Sequence, residues 1–167
     1  MALKDILVHV EDGRQGKARI DAAIALAVAH EAHLIGLYVL QPPALPDYIR
    51  AQIPDSVLAG QARMIEGAAE VARKHFEEQL QRAGITGEWR CEQGQPVAVL
   101  ALHGRYADLV VVGQRPPADS DDADDPAMPD QLILSVGRPV LVIPYAGDFP
   151  VIGERVLVAC DASRLAT

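Results

Sequence analysis

The sequence predicts an α/β protein with a doubly wound, Rossmann-like parallel sheet, and two observations support this fold class. First, five short runs rich in Val, Ile and Leu are apolar at successive positions, as in strands that are buried on both faces of a sheet. Second, a helical pattern follows each of the first four runs. The chain of 167 residues, half of them apolar, is long enough for one domain with its own core. The predicted strands are 6–10, 33–40, 89–92, 108–113 and 139–144.

The segments between these runs are predicted to be helices that cover both faces of the sheet. The first, residues 16–32, has an apolar stripe at helical spacing, and Arg19 is among its polar positions. The residues of this stripe are Ile20, Ile24, Ala27 and Val28.

Three further helices are expected along the chain. The second occupies the later half of the stretch 55–83 and stops at Gly84. Its apolar stripe is predicted to be Ala69, Arg73, Phe76 and Leu80. The third helix is 95–106, with Pro96 in its first turn, and the fourth is 129–137, which Gly137 ends.

Composition and charge exclude several classes of function. The net charge of −8 opposes binding to nucleic acid or to an anionic membrane, because both are polyanions. Two cysteines, Cys91 and Cys160, give no disulfide framework and favour a reducing compartment. We recognise no signal peptide and no apolar run of membrane-spanning length, and we therefore expect a cytoplasmic protein.

The end of the chain repeats its beginning. The segment RVLVACDAS, residues 155–163, aligns without gaps on DILVHVEDG, residues 5–13. A repeat spaced by the length of a whole domain indicates that a second copy starts here. We therefore predict a first domain at 1–146, a linker at 147–154, and the first strand of a second, incomplete repeat at 155–167.

Three segments carry a resemblance to a known family. They are ILVHVEDG near the start, CEQGQPVAVLALHGRYADLVVVG in the middle, and GRPVLVIP at the end of the first domain. Together they resemble the universal stress protein family, as the N-terminal half of a tandem form. The resemblance implies five strands in the order 3-2-1-4-5 and a crevice between the first and fourth strands.

This crevice is the candidate binding site. If an adenine nucleotide or nucleoside binds, the resemblance assigns its contacts to Val10, Glu11, Val39 and Gly113, with Asp12 nearby. Nucleotide-binding members of the family carry a phosphate loop of the form Gly-x-x-Gly, about nine residues, then Gly followed by Ser or Thr. Gly113 matches its first position.

The rest of the phosphate loop does not match. Pro116, which has no N–H to donate, stands where the second glycine is expected, and no further glycine occurs before Gly137. Carboxylates, which repel phosphate, occupy the loop instead. They are Asp119, Asp121, Asp122, Asp124 and Asp125. We expect no cofactor, with ATP disfavoured.

Other chemistries are weakly supported by the sequence. The Asp-rich loop lacks the Gly and the terminal Glu of an EF-hand, so we interpret it as solvated, with weak cation binding as the alternative. The pair Glu11 and Asp12 resembles the acidic pair of a receiver domain, but the acceptor Asp and the later Lys are missing. The five histidines show no ligand spacing, and Ser135 has no base nearby in sequence. We predict no catalytic residue and no metal ligand.

The resulting hypothesis is a non-catalytic structural or regulatory domain that acts through protein contacts. The edge strand Pro139 to Pro144 is short and apolar, so we expect it to form a homodimer or to pair with the missing tandem half. The alternative is an ATP- or adenine-nucleotide-binding stress-response sensor. A third possibility is that the missing half holds an intact nucleotide site, with this half as its partner.

Overall fold

The computed structural model describes residues 2–11, 14–41, 46, 48, 52–114, 128–147, 149 and 151–157. Strands and helices alternate along this part of the chain. The strands are β1 (Asp5–Val10), β2 (His33–Leu40), β3 (Gly87–Gln93), β4 (Leu109–Gly113) and β5 (Val140–Ile143). The helices are α1 (Arg14–His30), α2 (Asp55–Ala83), α3 (Pro96–Gly104) and α4 (Met128–Ser135).

The five strands form one parallel sheet in the order β3-β2-β1-β4-β5, which confirms the predicted fold class and strand order. In the registry of β1, Leu7 lies between Ile35 of β2 and Val110 of β4. The central strands are buried on both faces, which is why their sequences are apolar at successive positions. The edge strand β3 is largely exposed, and its sequence is accordingly mixed.

Two apolar layers lie on opposite faces of the sheet. Ile6 and Val8 of β1 pack with α1 and α2, whereas Leu7 packs with α3 and α4. This division follows from the period-two alternation of side chains along a strand. The sheet is therefore the central layer between two pairs of helices.

Helix α2 is longer than its predicted half, and its buried stripe differs at one position. Ala72 takes the place that we predicted for Arg73. Arg73 is exposed, and its Nε donates to Glu77 Oε1 at 2.8 Å. At 3.6 residues per turn, the buried stripe can continue three or four residues after Ala69, at Ala72 or at Arg73. The prediction was wrong because Ala72 is apolar and can be buried without a hydrogen-bond partner, whereas a buried Arg73 would need one.

The later half of α2 is held tightly against the sheet. A Cβ on Gly36 of β2 would lie 2.8 Å from the Phe76 ring, so only glycine allows this approach. The ring also packs on Trp89 of β3, with centroids 5.7 Å apart. Gly84 ends the helix in the left-handed conformation, as predicted, and its N–H donates to the Gln81 carbonyl at 3.2 Å.

Helix α1 corrects two predictions. Val28 is half exposed, because it lies about 100° around the helix from the buried Ala27. Arg19, which we predicted to be a polar surface position, is 2% exposed. Its surroundings explain this burial and are described with the candidate site.

The segment after β5 was predicted to contain a linker and the start of a second repeat. Residues 155–157 belong to none of the strands of the sheet, and residues 158–167 lie outside the described residues. Of the helices that the structure describes, none is both long enough and apolar enough to cross a bilayer.

We expect Phe76→Ala to destabilise the protein by about 3–5 kcal/mol, because it removes a fully buried ring that Gly36 and Trp89 enclose. Urea unfolding followed by circular dichroism measures the change. Leu134→Ala is the control, since Leu134 is exposed and should change stability by no more than about 0.5 kcal/mol. Equal effects of the two substitutions would show that α2 is not anchored by Phe76.

Candidate functional site

The candidate site lies where β1 and β4 end side by side. The connections from these two strands leave toward opposite faces of the sheet, so a crevice is expected beyond their carboxyl ends. Val10 closes β1 and Gly113 closes β4, and both are buried. Glu11 follows β1 directly, with its side chain 36% exposed.

The Arg19 side chain of α1 fills the space between these strand ends. Its guanidinium lies directly over Gly113, where a Cβ would collide with it. Its Nη1 donates to the His9 carbonyl of β1 at 3.0 Å. The cation therefore lies across the ends of β1 and β4, at the position where an open α/β sheet takes its ligand.

Glu11 supplies the opposite charge. Arg19 Nη2 donates to Glu11 Oε2 at 2.9 Å, and His9 Nδ1 lies 3.1 Å from Glu11 Oε1. Each carboxylate oxygen thus has its own partner. The backbone of Glu11 also packs against α1. The helix approaches it so closely at Gly16 that any Cβ there would collide with the main-chain carbonyl of Glu11.

The pKa of His9 is lowered to about 4, mainly by burial; Glu11 opposes this shift and Arg19 adds to it. His9 is therefore neutral at pH 7. His9 Nδ1 lies 3.1 Å from Glu11 Oε1 and 3.5 Å from Arg19 Nη1, and the shorter contact to the carboxylate favours the tautomer in which Nδ1 carries the proton and donates. Burial alone would raise the pKa of Glu11, but His9 and the charge and hydrogen bond of Arg19 outweigh it, and the pKa lies below its ordinary value.

The cluster of His9, Glu11 and Arg19 is internally neutral. One cation and one anion are paired, and the imidazole has no charge. The Arg19 Nε is buried without a hydrogen-bond partner in the described part of the chain. Among those residues there is also no group of three or more His, Cys, Asp or Glu that could hold a metal ion. This geometry places the Arg19 guanidinium between the two strand ends and ties α1 to them.

The structure brings together three of the four residues that we assigned to the site. Glu11 and Gly113 contact Arg19, and Val10 is the last residue of β1, directly before Glu11. Val39 lies at the carboxyl end of the neighbouring strand β2, and its side chain packs in the apolar layer of α3 and α4, on the other face of the sheet from Val10. Asp12, Pro116 and the five loop aspartates lie outside the described residues.

Sequence reasoning missed Arg19 and the role of His9. The signal was present, because Gly16, Arg19, Ala23 and Ala27 follow one another at spacings of three and four residues, and all are buried. His9 lies inside a strand that is buried on both faces, which also predicts a buried imidazole. Neither position was assigned to the site because a polar residue in an amphipathic pattern ordinarily points to solvent.

A cavity of about 790 Å³ lies between the end of β2 and the earlier half of α2. Tyr38, Val39 and Gln41 form its strand side, and α2 contributes mainly apolar and small residues. Those residues are Val57, Gly60, Gln61, Met64, Ile65 and Ala68.

Comparisons with known proteins agree on the fold. Residues 2–144 match the model of the Universal stress protein family. A comparison with curated proteins found no match. Among solved structures, the chain is similar to UspA from Lactobacillus plantarum, with a TM-score of 0.68 and 20% identity, over 86% of this chain and 99% of that one.

Two similar structures contain nucleotides. A universal stress protein from Archaeoglobus fulgidus in complex with dAMP has a TM-score of 0.60 and 16% identity, over 86% of this chain and 99% of that one. A family protein from Arabidopsis thaliana with AMP bound has a TM-score of 0.60 and 14% identity, over 84% and 91%. At such low identities the likeness shows the shared fold.

Protein stability is expected to fall as the pH is lowered from about 6.5 to about 4. In this window the unfolded chain protonates His9 while the folded chain does not, which costs about 2 kcal/mol by pH 5. Above about pH 6.5 both states are neutral at His9 and the effect vanishes. Urea unfolding at about pH 7.5 and pH 5 measures it, and His9→Gln should remove most of the difference.

His33→Gln is the matched control, because His33 is about half exposed at the start of β2. It should keep the pH dependence of the parent protein. If His9→Gln and the parent lost the same stability between the two pH values, His9 would not be the buried neutral group described above. Glu11 does not interfere, because its low pKa moves its own loss of stability to more acidic pH.

Proposed function

This chain belongs to the universal stress protein family, and from this premise we propose that it is a non-catalytic structural or regulatory domain that acts through protein contacts. In this proposal its own Arg19 occupies the crevice at the ends of β1 and β4. We further propose that it works without a resident cofactor, in the cytoplasm. Two cysteines without a disulfide framework are in keeping with that compartment.

The position of Arg19 is the observation that carries this proposal. A ligand entering between β1 and β4 must displace the guanidinium from Glu11 and from the His9 carbonyl. Each charge-assisted hydrogen bond that is lost costs about 1.5–3 kcal/mol, with the lower value suited to the partly exposed Glu11. One such bond already weakens affinity by roughly 10- to 100-fold.

The sequence after Gly113 supports the same conclusion. Pro116 stands where nucleotide-binding members of the family have their second loop glycine, and five aspartates follow. A phosphate placed there would meet negative charge where it needs backbone donors. Arg19, the cation beside Gly113, is already paired with Glu11.

The edge strand β5 is the contact surface that we propose. The carbonyls of Pro139 and Ile143 accept hydrogen bonds from β4, so the backbone groups of Val140 and Val142 point to the free edge. The other edge strand, β3, carries Glu88, Arg90 and Glu92, and charges along an edge discourage pairing. A homodimer, or pairing with a second tandem domain, would use the apolar edge.

The alternative, an adenine-nucleotide sensor, is favoured by the cavity beside Val39. Its volume of about 790 Å³ is in the range of small-molecule sites. The A. fulgidus and A. thaliana family members were solved with dAMP and AMP, which carry one phosphate each. A nucleoside monophosphate makes fewer demands on a phosphate loop than ATP does. Under this alternative, adenosine and AMP bind and ATP gains nothing from its extra phosphates.

We expect no measurable binding of Mg·ATP, AMP or adenosine, with any dissociation constant weaker than about 100 μM, which is about −5.5 kcal/mol. Titration calorimetry on the purified chain measures all three ligands under the same conditions. A tighter constant for adenosine and AMP alone would establish the alternative. A tighter constant for ATP would overturn the whole proposal, because it would require a working phosphate site.

We expect Val142→Pro to weaken homodimer formation while leaving the sheet intact. Proline removes the N–H that points to the free edge, whereas the bonds between β4 and β5 use the neighbouring residues. Val142→Thr is the matched control, because it keeps that N–H and a β-branched side chain. Sedimentation equilibrium measures the association, and equal association of the two variants would exclude β5 as the interface.

A further inference from the structure

The outward face of α2 carries a row of exposed apolar side chains. Val57, Met64 and Val71 are 56%, 77% and 67% exposed, and they are spaced by seven residues. At about 100° per residue, Val71 points away from the residues of α2 that pack on the sheet, whereas Val57 and Met64 are turned toward the open cavity between α2 and the end of β2, which they help to line. Large side chains of this kind are ordinarily scattered singly over a surface, so an aligned row indicates a contact face.

Two glycines lie between these side chains on the same face. Gly60 and Gly67 are also seven residues apart, and no atom of the described residues lies within 4 Å of a Cβ built at either position. Glycine in the interior of a helix is unfavourable relative to alanine, and no neighbour in the part of the chain that the structure describes requires it here. The face is therefore a regular alternation of apolar side chains and gaps, which we call the α2 seam (Val57, Gly60, Met64, Gly67 and Val71).

The seam has a defined end. The next positions at the same spacing are Lys74, Glu78 and Gln81, all polar. Only the earlier half of the helix is thus apolar on its outer face. An apolar repeat of seven residues is the pattern by which one helix packs along another.

We propose that the α2 seam binds the α2 seam of a second copy of this chain, with the two helices antiparallel. In this arrangement Met64 of each copy lies over Gly67 of the other, and Val71 lies over Gly60. Met64 and Val71 of each copy then fill the gaps that the two glycines of the other copy leave open, and Val57 lies at the end of the contact, level with Lys74 of the other copy. The pairing is symmetric about a two-fold axis, so one face satisfies both copies.

Charge complementarity selects the second copy and the antiparallel direction. Arg63 and Glu70 lie on one flank of the seam, seven residues apart, which is about 10 Å along the helix, so they do not contact each other within the chain. Glu70 does form exposed ion pairs with Lys74 at 3.8 Å and Arg73 at 3.9 Å, and such surface pairs contribute little and leave the carboxylate accessible to a second copy. Antiparallel pairing brings Arg63 of each copy to Glu70 of the other, which makes two symmetric ion pairs. Parallel pairing would place Arg63 beside Ala68, which is on the other, uncharged flank.

This inference is independent of the proposed contact at β5, whereas the seam shares Val57, Gly60 and Met64 with the cavity of the alternative function. The α2 seam and the edge of β5 lie on different elements, so loss of one contact leaves the other. If both form, the seam adds a further association step to a dimer made by β5. The two faces can therefore be tested one at a time.

A charge exchange tests the seam. Arg63→Glu and Glu70→Arg alone each turn two attractive pairs into repulsive ones, and each should weaken the association by roughly 5- to 30-fold. The double variant Arg63→Glu with Glu70→Arg should restore it, because the pairs re-form with opposite signs. Sedimentation equilibrium from about 10 to 500 μM at low salt measures these constants.

Arg82→Glu is the matched control, since it reverses a charge on the same helix beyond the end of the seam and should leave association unchanged. Met64→Glu places a charge in the centre of the seam and should abolish the step, while Met64→Leu should keep it. Circular dichroism checks that each variant is folded. Failure of the double variant to recover, or association unaffected by Met64→Glu, would overturn the proposal.

Discussion

The structure at the carboxyl ends of β1 and β4 depends on the burial of one guanidinium. Arg19 is almost fully removed from solvent, and a buried cation without partners costs several kcal/mol. Each contact of this guanidinium requires a particular residue at a neighbouring position. Glu11 must follow β1 to supply charge, Gly113 must end β4 without a side chain, and Gly16 must let α1 approach the Glu11 carbonyl. The ligand crevice of the fold is thus built from the same residues that satisfy one internal cation.

Helices also approach the rest of the sheet closely at glycines. Gly36 admits the Phe76 ring, and Gly104 of α3 lies so near Val110 and Val136 that a Cβ would sit 2.6 Å from the Val136 side chain. Glycine has no side-chain volume, so each of these contacts brings a helix nearer the sheet than any other residue would allow. The two apolar layers are therefore dense, and the polar groups that remain buried are concentrated at the strand ends around His9 and Arg19.

The fold was predictable because its strands are buried on both faces, which leaves continuous apolar runs such as 33–40, and because Gly84 marks the end of α2 in sequence and in backbone conformation. The strand order came from the family resemblance and was confirmed. The site was predictable only in outline. Val10, Glu11 and Gly113 were placed by the strand ends, but Arg19 was assigned to solvent, because residue type outweighed its position on the buried stripe. Periodicity tells which way a side chain points, and only a partner such as Glu11 tells whether a charge can be buried there.

The two halves of helix α2 differ in local stability. Its later half is fixed by Phe76 and Leu80 against the sheet, so its backbone can open only with the whole domain. Its earlier half has an exposed outer face with two glycines, and little tertiary packing opposes its fraying. Amide hydrogen exchange would follow this division as a gradient along a single helix, slow near Leu80 and fast near Val57. We therefore expect the earlier half of the helix to unfold locally while the later half stays folded, although its backbone geometry is continuous.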